Sequence, residues 1–172
     1  LDLCAAPGGK TLQIADALKG KGSVLAADSD PDRTERVKEN IAKARATTAS
    51  TEVFDGREAG GRHPGRFDRI LLDAPCGNTG VMSRRWEVRE RVRPGVVADL
   101  SGLQAELLRS ALRALKPDGV LVYSTCSLEP EENEDLVAKV LAETGARAAS
   151  MVYYRPTSNR HSGGFVAKIQ RT

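Results

Sequence analysis

The sequence predicts an α/β fold built on a doubly wound, mostly parallel sheet of about seven strands, with an antiparallel last strand. Three observations predict it. Short apolar runs alternate with segments of helical spacing along almost the whole chain, as in a layered α/β domain. Ile70-Leu71-Leu72 is apolar at consecutive positions, as expected of a strand covered on both faces. The last two strand-like segments, 147–153 and 164–169, have no helix between them, so one of them runs antiparallel. At 172 residues the chain is one domain long and buries about 70% of its unfolded surface on folding.

Each element follows from local pattern. Leu1-Asp2-Leu3 reads as the tail of the first, central strand, so residues 1–172 are expected to be one domain truncated at its N-terminus. Ala6-Pro7-Gly8-Gly9 turns into a helix over 10–19, spaced by Leu12, Ala15 and Leu18 and stopped by Gly20 and Gly22. Residues 23–27 form a strand. Asp30-Pro31 opens a polar helix reaching about residue 46, with proline near its first position. A strand over 51–54, a glycine-rich loop over 56–65 and a strand over 67–72 follow. An irregular, arginine-rich stretch runs to residue 98. Residues 101–115 form an amphipathic helix with Leu103, Leu107, Leu108, Ala111, Leu112 and Leu115 on one face. Pro117-Asp118-Gly119 reads as a turn, 120–123 as a strand and 131–144 as a helix behind Pro130.

Composition excludes several classes. No apolar run approaches the ~18 residues of a membrane span, and Leu1 onward shows no signal-peptide pattern. Cys4, Cys76 and Cys126 have neither zinc-ribbon spacing nor the even count of a disulfide framework, so no metal is expected. A net charge of +3 is too mild to define a nucleic-acid partner by itself. His63 and His161 lie in polar segments and read as surface residues.

In a doubly wound sheet the ligand sits beyond the carboxyl ends of the strands. Those ends carry Cys4 to Lys10, Asp28, Asp55, Asp73 to Cys76 and Ser124 to Ser127. The glycines let a ligand approach the backbone, and the helix behind them offers free N–H groups. Asp28, ending the second strand, can accept from two ribose hydroxyls. Taken singly, the glycines make a tight turn and Asp28 a helix cap. Together they favour an adenosine-containing cofactor. Neither G-x-G-x-x-G nor a P-loop is present, which disfavours a dinucleotide dehydrogenase.

A single cysteine at a strand end is more often a small buried hydrophobe than a nucleophile. Here two follow neighbouring strands. Leu1-Asp2-Leu3-Cys4-Ala5-Ala6-Pro7-Gly8-Gly9-Lys10-Thr11, Asp73-Ala74-Pro75-Cys76 with Thr79-Gly80-Val81, and Ser124-Thr125-Cys126-Ser127-Leu128 with Pro130-Glu131-Glu132-Asn133-Glu134 carry a resemblance. In that order they resemble the Sun (Fmu) family of S-adenosylmethionine-dependent RNA cytosine-5 methyltransferases. The resemblance reaches Gly164-Phe165-Val166-Ala167 and implies a Rossmann-like methyltransferase fold.

It implies Cys126 as the nucleophile that adds to carbon 6 of cytosine, and Cys76 as the group that helps expel the enzyme after methylation. Asp73 would meet the base near N3 and the 4-amino group; its bland alternative is a turn-capping carboxylate. S-adenosylmethionine would be held by Cys4, Ala5, Ala6, Pro7, Gly8, Gly9, Lys10, Asp28, Asp55 and Asp73. Asp55 would meet the adenine amino group; otherwise it belongs to an ordinary Asp-Gly turn.

Two departures bear on the substrate. Gly77-Asn78 follow Cys76 where the family has serine, and Arg85-Trp86 with Glu90 replace the usual Arg-Trp-Arg-like context. Arg84, Arg85, Arg89 and Arg91, with Arg93, are phosphate-binding candidates, set against a solvated arginine-rich loop. Trp86 stacks on a base or anchors the loop. The acidic run from Glu129 to Asp135 reads as helix amino-terminal charge bias, and Asn133 is expected to reach the Cys126 loop. The expected partner is RNA, ribosomal ahead of transfer RNA, for a cytoplasmic monomer without the RNA-binding region that family members carry upstream. The rival is a non-catalytic RNA-binding or assembly module with the same fold.

Overall fold

The computed structural model describes residues 1–157 and 161–171. In chain order the elements are β1 (Asp2–Leu3), α1 (Gly9–Leu18), β2 (Val24–Asp28), α2 (Pro31–Ala44), β3 (Ala49–Val53), α3 (Ala59–Arg62) and β4 (Phe67–Asp73). Then come α4 (Val88–Arg91), α5 (Pro94–Ala114), β5 (Leu115–Thr125), α6 (Glu134–Thr144), β6 (Arg147–Tyr154) and β7 (Gly164–Gln170). Among the described residues the strands make one seven-stranded sheet, ordered β3-β2-β1-β4-β5-β7-β6. Pairing is parallel from β3 to β5, and β7 runs antiparallel to both β5 and β6. The doubly wound Rossmann-like sheet with an antiparallel last strand is therefore the one the sequence predicts.

Topology fixes where the ligand crevice lies. The chain winds outward from β1 to β3, then crosses to β4 on the other side of β1. Strand order reverses between β1 and β4, so the crevice opens above the carboxyl ends of these two strands.

Two apolar layers clamp the sheet. Leu3, Ala27, Leu72, Leu121 and Ile169 are buried against α5 and α6, where Leu108, Ala111, Val137 and Val140 have no exposed surface. On the other face Ala5 and Ala26 pack against Val37 of α2. Each fully buried leucine, isoleucine or valine side chain contributes about 1.5–3 kcal/mol of transfer free energy, and each alanine less.

Several segments depart from the sequence reading. The glycine-rich stretch over 56–65 is ordered: a 3-10 turn (Gly56–Glu58) leads into α3. Gly60 lets α3 dock on α5, because a Cβ there would lie 2.6 Å from that of Arg113, and its N–H bonds Ser110 Oγ at 3.0 Å. The arginine-rich stretch holds a 3-10 turn (Thr79–Val81) and α4, and α5 starts at Pro94 rather than residue 101. Proline at the first helical position loses no hydrogen bond. Pro117-Asp118-Gly119 is not a turn between elements but an irregularity inside β5. Asp118 takes a left-handed φ of 60° there, and its N–H is satisfied by Arg171 O. The helix expected over 131–144 begins at Glu134, behind a 3-10 turn (Pro130–Glu132). His63 is not a surface residue. Its side chain is 12% exposed, edge-on to Phe54 and Phe67, and bonded to Glu52 Oε2 at 3.0 Å.

Candidate active site

The rim begins where β1 stops. Cys4 leaves the strand with a left-handed φ of 58°, and Gly8 follows at 96°. Glycine is required at 8, since a Cβ would also press on Val37 Cγ1 at 3.0 Å. The loop is tied down by Ala5 N–H to Ala27 O, Ala6 N–H to Asp28 Oδ2 and Asn40 Nδ2 to Pro7 O. Asp28 is 5% exposed and also faces Arg33 Nη1 at 3.4 Å.

Above this loop lies an open cavity of about 760 Å³. Cys4, Ala6, Asp28, Asp55, Asp73, Cys76 and Cys126 all line it. Residues from five strand ends, separated by up to 122 positions in sequence (126 − 4), thus share one space. Ala5 and Gly8 are buried beneath the loop, while Pro7, Gly9 and Lys10 face solvent. Lys10 Nζ bonds Asp73 Oδ2 at 2.6 Å instead, and Ser124 Oγ donates to Asp73 Oδ1 at 2.7 Å. Of the arginines, Arg85 lines the cavity; Arg84, Arg89, Arg91 and Arg93 are exposed outside it. Trp86, 70% exposed, does not anchor its loop by burial.

Asp55 is gripped by Arg57, whose guanidinium and backbone N–H reach both carboxylate oxygens at 2.6–3.1 Å. Those bonds hold its carboxyl below the usual range.

Cys76 and Cys126 stand with their sulfurs 3.3 Å apart, and neither is in a disulfide. As a thiol, Cys126 donates to Asn78 Oδ1 at 2.8 Å. Once Cys126 ionises, the Cys76 S–H is its donor, which lowers the Cys126 pKa against the opposing effects of burial and Asp73. The same bond, followed by burial, pushes Cys76 far up. One sulfur is thus poised to be a thiolate and its neighbour to carry a proton. That pairing suits a nucleophile with an acid beside it. Cys4, by contrast, is pushed up to about 12 by burial, with Asp28 adding to it.

The two cysteine loops are stitched together. Thr79 and Ser127 hydroxyls meet at 3.2 Å, and Gly80 N–H bonds Cys126 O at 2.9 Å. Asn133 does reach the Cys126 loop, accepting from Thr125 Oγ1 at 2.6 Å and donating to Ser127 O at 3.1 Å. Sequence reasoning missed Arg33 and Arg57 as partners of the two rim aspartates. It also missed Asn78 as the Cys126 acceptor, although its place two residues after Cys76 is a signal. Glu132, part of the acidic run read as helix charge bias, has no exposed surface.

Residues 1–169 match the family described as 16S rRNA methyltransferase RsmB/F. Ribosomal RNA small subunit methyltransferase B of Yersinia pseudotuberculosis is 42% identical over 181 aligned positions, covering 98% of this chain and 41% of that protein. The chain therefore spans about two fifths of the curated relatives it matches. Among solved structures, NSun6 from Pyrococcus horikoshii with SFG superposes with a TM-score of 0.88 at 30% identity, covering 99% of this chain and 47% of that one. A methyltransferase homolog protein from Pyrococcus horikoshii gives 0.85 at 30% identity, covering 99% and 61%. A match running from Leu1 to Ile169 takes in every strand end of the cavity rim, and the chain belongs to the RsmB/F family of 16S rRNA methyltransferases.

Proposed function

We propose that this chain is a catalytic domain that methylates carbon 5 of cytosine in ribosomal RNA, using S-adenosylmethionine and a covalent cysteine adduct. The observation that carries this reading is the thiol pair, 3.3 Å apart and sharing a cavity with Asp73. A cavity of about 760 Å³ falls within the range of cofactor pockets, and Asp28 offers a buried carboxylate at the ribose position of such sheets. The Asp28 bonds are long, 3.2–3.4 Å, so its oxygens keep acceptor capacity for hydroxyls. S-adenosylmethionine supplies the methyl group, from its sulfonium.

Carbon 5 of cytosine is a poor nucleophile. The Cys126 thiolate adds to carbon 6 and shifts the ring electrons toward carbon 5, which then takes the methyl. Asp73, held by Lys10 and Ser124, faces N3 and the 4-amino group and stabilises the ring as those electrons move. After transfer, a solvent water takes the carbon 5 proton, the electrons of that carbon–hydrogen bond remake the carbon 5–carbon 6 double bond, and the carbon 6–sulfur bond breaks with its electrons returning to Cys126. Cys76 serves this last step with its thiol proton. Cys4 to Lys10 and Asp28 hold the cofactor. Asp55 takes part once Arg57 shares it. Arg85 leads incoming RNA toward the cavity, with Arg84, Arg89 and Arg91 outside it. The cytoplasm follows from a ribosomal RNA substrate; among the described residues no helix is long and apolar enough to cross a membrane.

The test is methyl transfer from labelled S-adenosylmethionine to small-subunit ribosomal RNA, mapped at single-nucleotide resolution. Label at cytosine carbon 5 that disappears with Cys126→Ala is expected. Label elsewhere, or label that persists in Cys126→Ala, contradicts the reading.

A further inference from the structure

We propose that Glu132 is a positioning residue which, with Gln104, holds the Cys76 loop against Cys126. The consequence for catalysis rests on the methyl-transfer reading; the positioning itself does not. Glu132 and Gln104 both have no exposed surface. The Glu132 carboxylate accepts the Gly77 N–H, at 2.9 Å on Oε1 and 3.2 Å on Oε2. Its Oε1 also accepts Gln104 Nε2 at 2.9 Å, and Gln104 Nε2 donates in turn to Pro75 O at 2.7 Å. Pro75 and Gly77 are the two neighbours of Cys76, so the loop is gripped on both sides of the thiol.

The same short segment grips the other cysteine. Tyr123 Oη donates to the Glu132 backbone carbonyl at 2.7 Å, three residues before Cys126. Asn133, next in the chain, binds Thr125 and Ser127, the two neighbours of Cys126. Residues 132 and 133 therefore tie both thiol loops to one point. A carboxylate is expensive to bury unless it is fully used, and charge-assisted bonds are shorter and stronger than neutral ones. Gly77 permits the arrangement, because a Cβ there would stand 3.1 Å from Glu132 Oε2. An apolar residue at 132 would fill the space but leave the Gly77 N–H without its acceptor.

Diamide oxidation reads the sulfur spacing without RNA or cofactor. Cys76 and Cys126 each lose a proton and an electron, the sulfurs join, and the azo reagent is reduced to the hydrazide. The rate is followed by peptide mapping. Glu132→Leu and Gln104→Met are expected to slow this cross-link by about tenfold or more, since misplacing reacting atoms by about 1 Å costs as much as ~100-fold. Glu132→Gln keeps one oxygen for both donors and should stay within about threefold of the parent, as a retained neutral bond would allow. If Glu132→Leu fails to fold, Gln104→Met carries the test. A parental rate in Gln104→Met, or Glu132→Gln slowed as much as Glu132→Leu, overturns the proposal. With RNA, Glu132→Leu should accumulate the covalent adduct as Cys76→Ala does, with KM for S-adenosylmethionine unchanged. Slowed cross-linking with no adduct in either variant would support the positioning and refute the covalent reading.

Discussion

Asn78→Asp is an isosteric change that places a negative charge beside Cys126. Asn78 Oδ1 lies 2.8 Å from Cys126 Sγ. At that separation, two unit charges repel by about 1.5 kcal/mol even at the dielectric of water, and more within a partly closed cavity. About 1.4 kcal/mol corresponds to one pH unit of a titration midpoint, so the Cys126 midpoint should rise by about one pH unit or more. The sign follows from which form is charged: a carboxylate disfavours the thiolate, so less of it exists at neutral pH. The parent Cys126 starts below the usual thiol value because Cys76 donates to it. The assay is iodoacetamide alkylation against pH, with Cys126 read separately by peptide mapping. Cys76, pushed up by the same bond and by burial, should stay unreactive across the neutral range in the parent. A Cys126 alkylation midpoint in Asn78→Asp equal to that of the parent would refute the claim that Asn78 contacts the Cys126 sulfur.

Two further outcomes test the pocket and the layer beneath it. On the proposed cofactor assignment, Asp28→Ala removes acceptors for two ribose hydroxyls, each worth about 1.5 kcal/mol or more to a charged group. Calorimetry should then show S-adenosylmethionine binding weakened by about 100-fold; an unchanged Kd refutes the assignment. Leu108→Ala empties a fully buried site on α5 and should cost about 2–5 kcal/mol by urea unfolding, with a loss under about 1 kcal/mol contradicting the packing described.

Much of this site was legible because its physics is local. A glycine pair after a buried strand, an aspartate ending the next strand and cysteines after two others mark the carboxyl rim from sequence alone. What stayed hidden depends on tertiary partners. The acidic stretch before α6 has the charge pattern of any helix amino terminus. Only the fold shows that Glu132 turns inward to Gln104, 28 residues away in sequence, while Glu131 stays outside. Asp55 kept its place on the rim but not its freedom, since Arg57 two residues on reaches back over it. His63 has polar neighbours in sequence, yet β3 and β4 bring Glu52 and Phe67 around its ring. The start of α5 was obscured because Pro94 and Gly95 read as loop punctuation at the end of the arginine-rich stretch. Pro117-Asp118-Gly119 carries turn chemistry, but β5 pairs with β4 at Leu115 and again from Val120 onward, which keeps the segment inside the strand as an irregularity.

The central claim is that two thiols 3.3 Å apart divide one reaction between them, Cys126 forming the bond to cytosine and Cys76 releasing it. The most direct measurement incubates the parent, Cys76→Ala and Cys126→Ala with ribosomal RNA and S-adenosylmethionine, then resolves covalent protein–RNA adducts under denaturing conditions. A strong adduct with Cys76→Ala, none with Cys126→Ala and little with the parent is the predicted result. An adduct that survives in Cys126→Ala, or none in Cys76→Ala, would contradict the account.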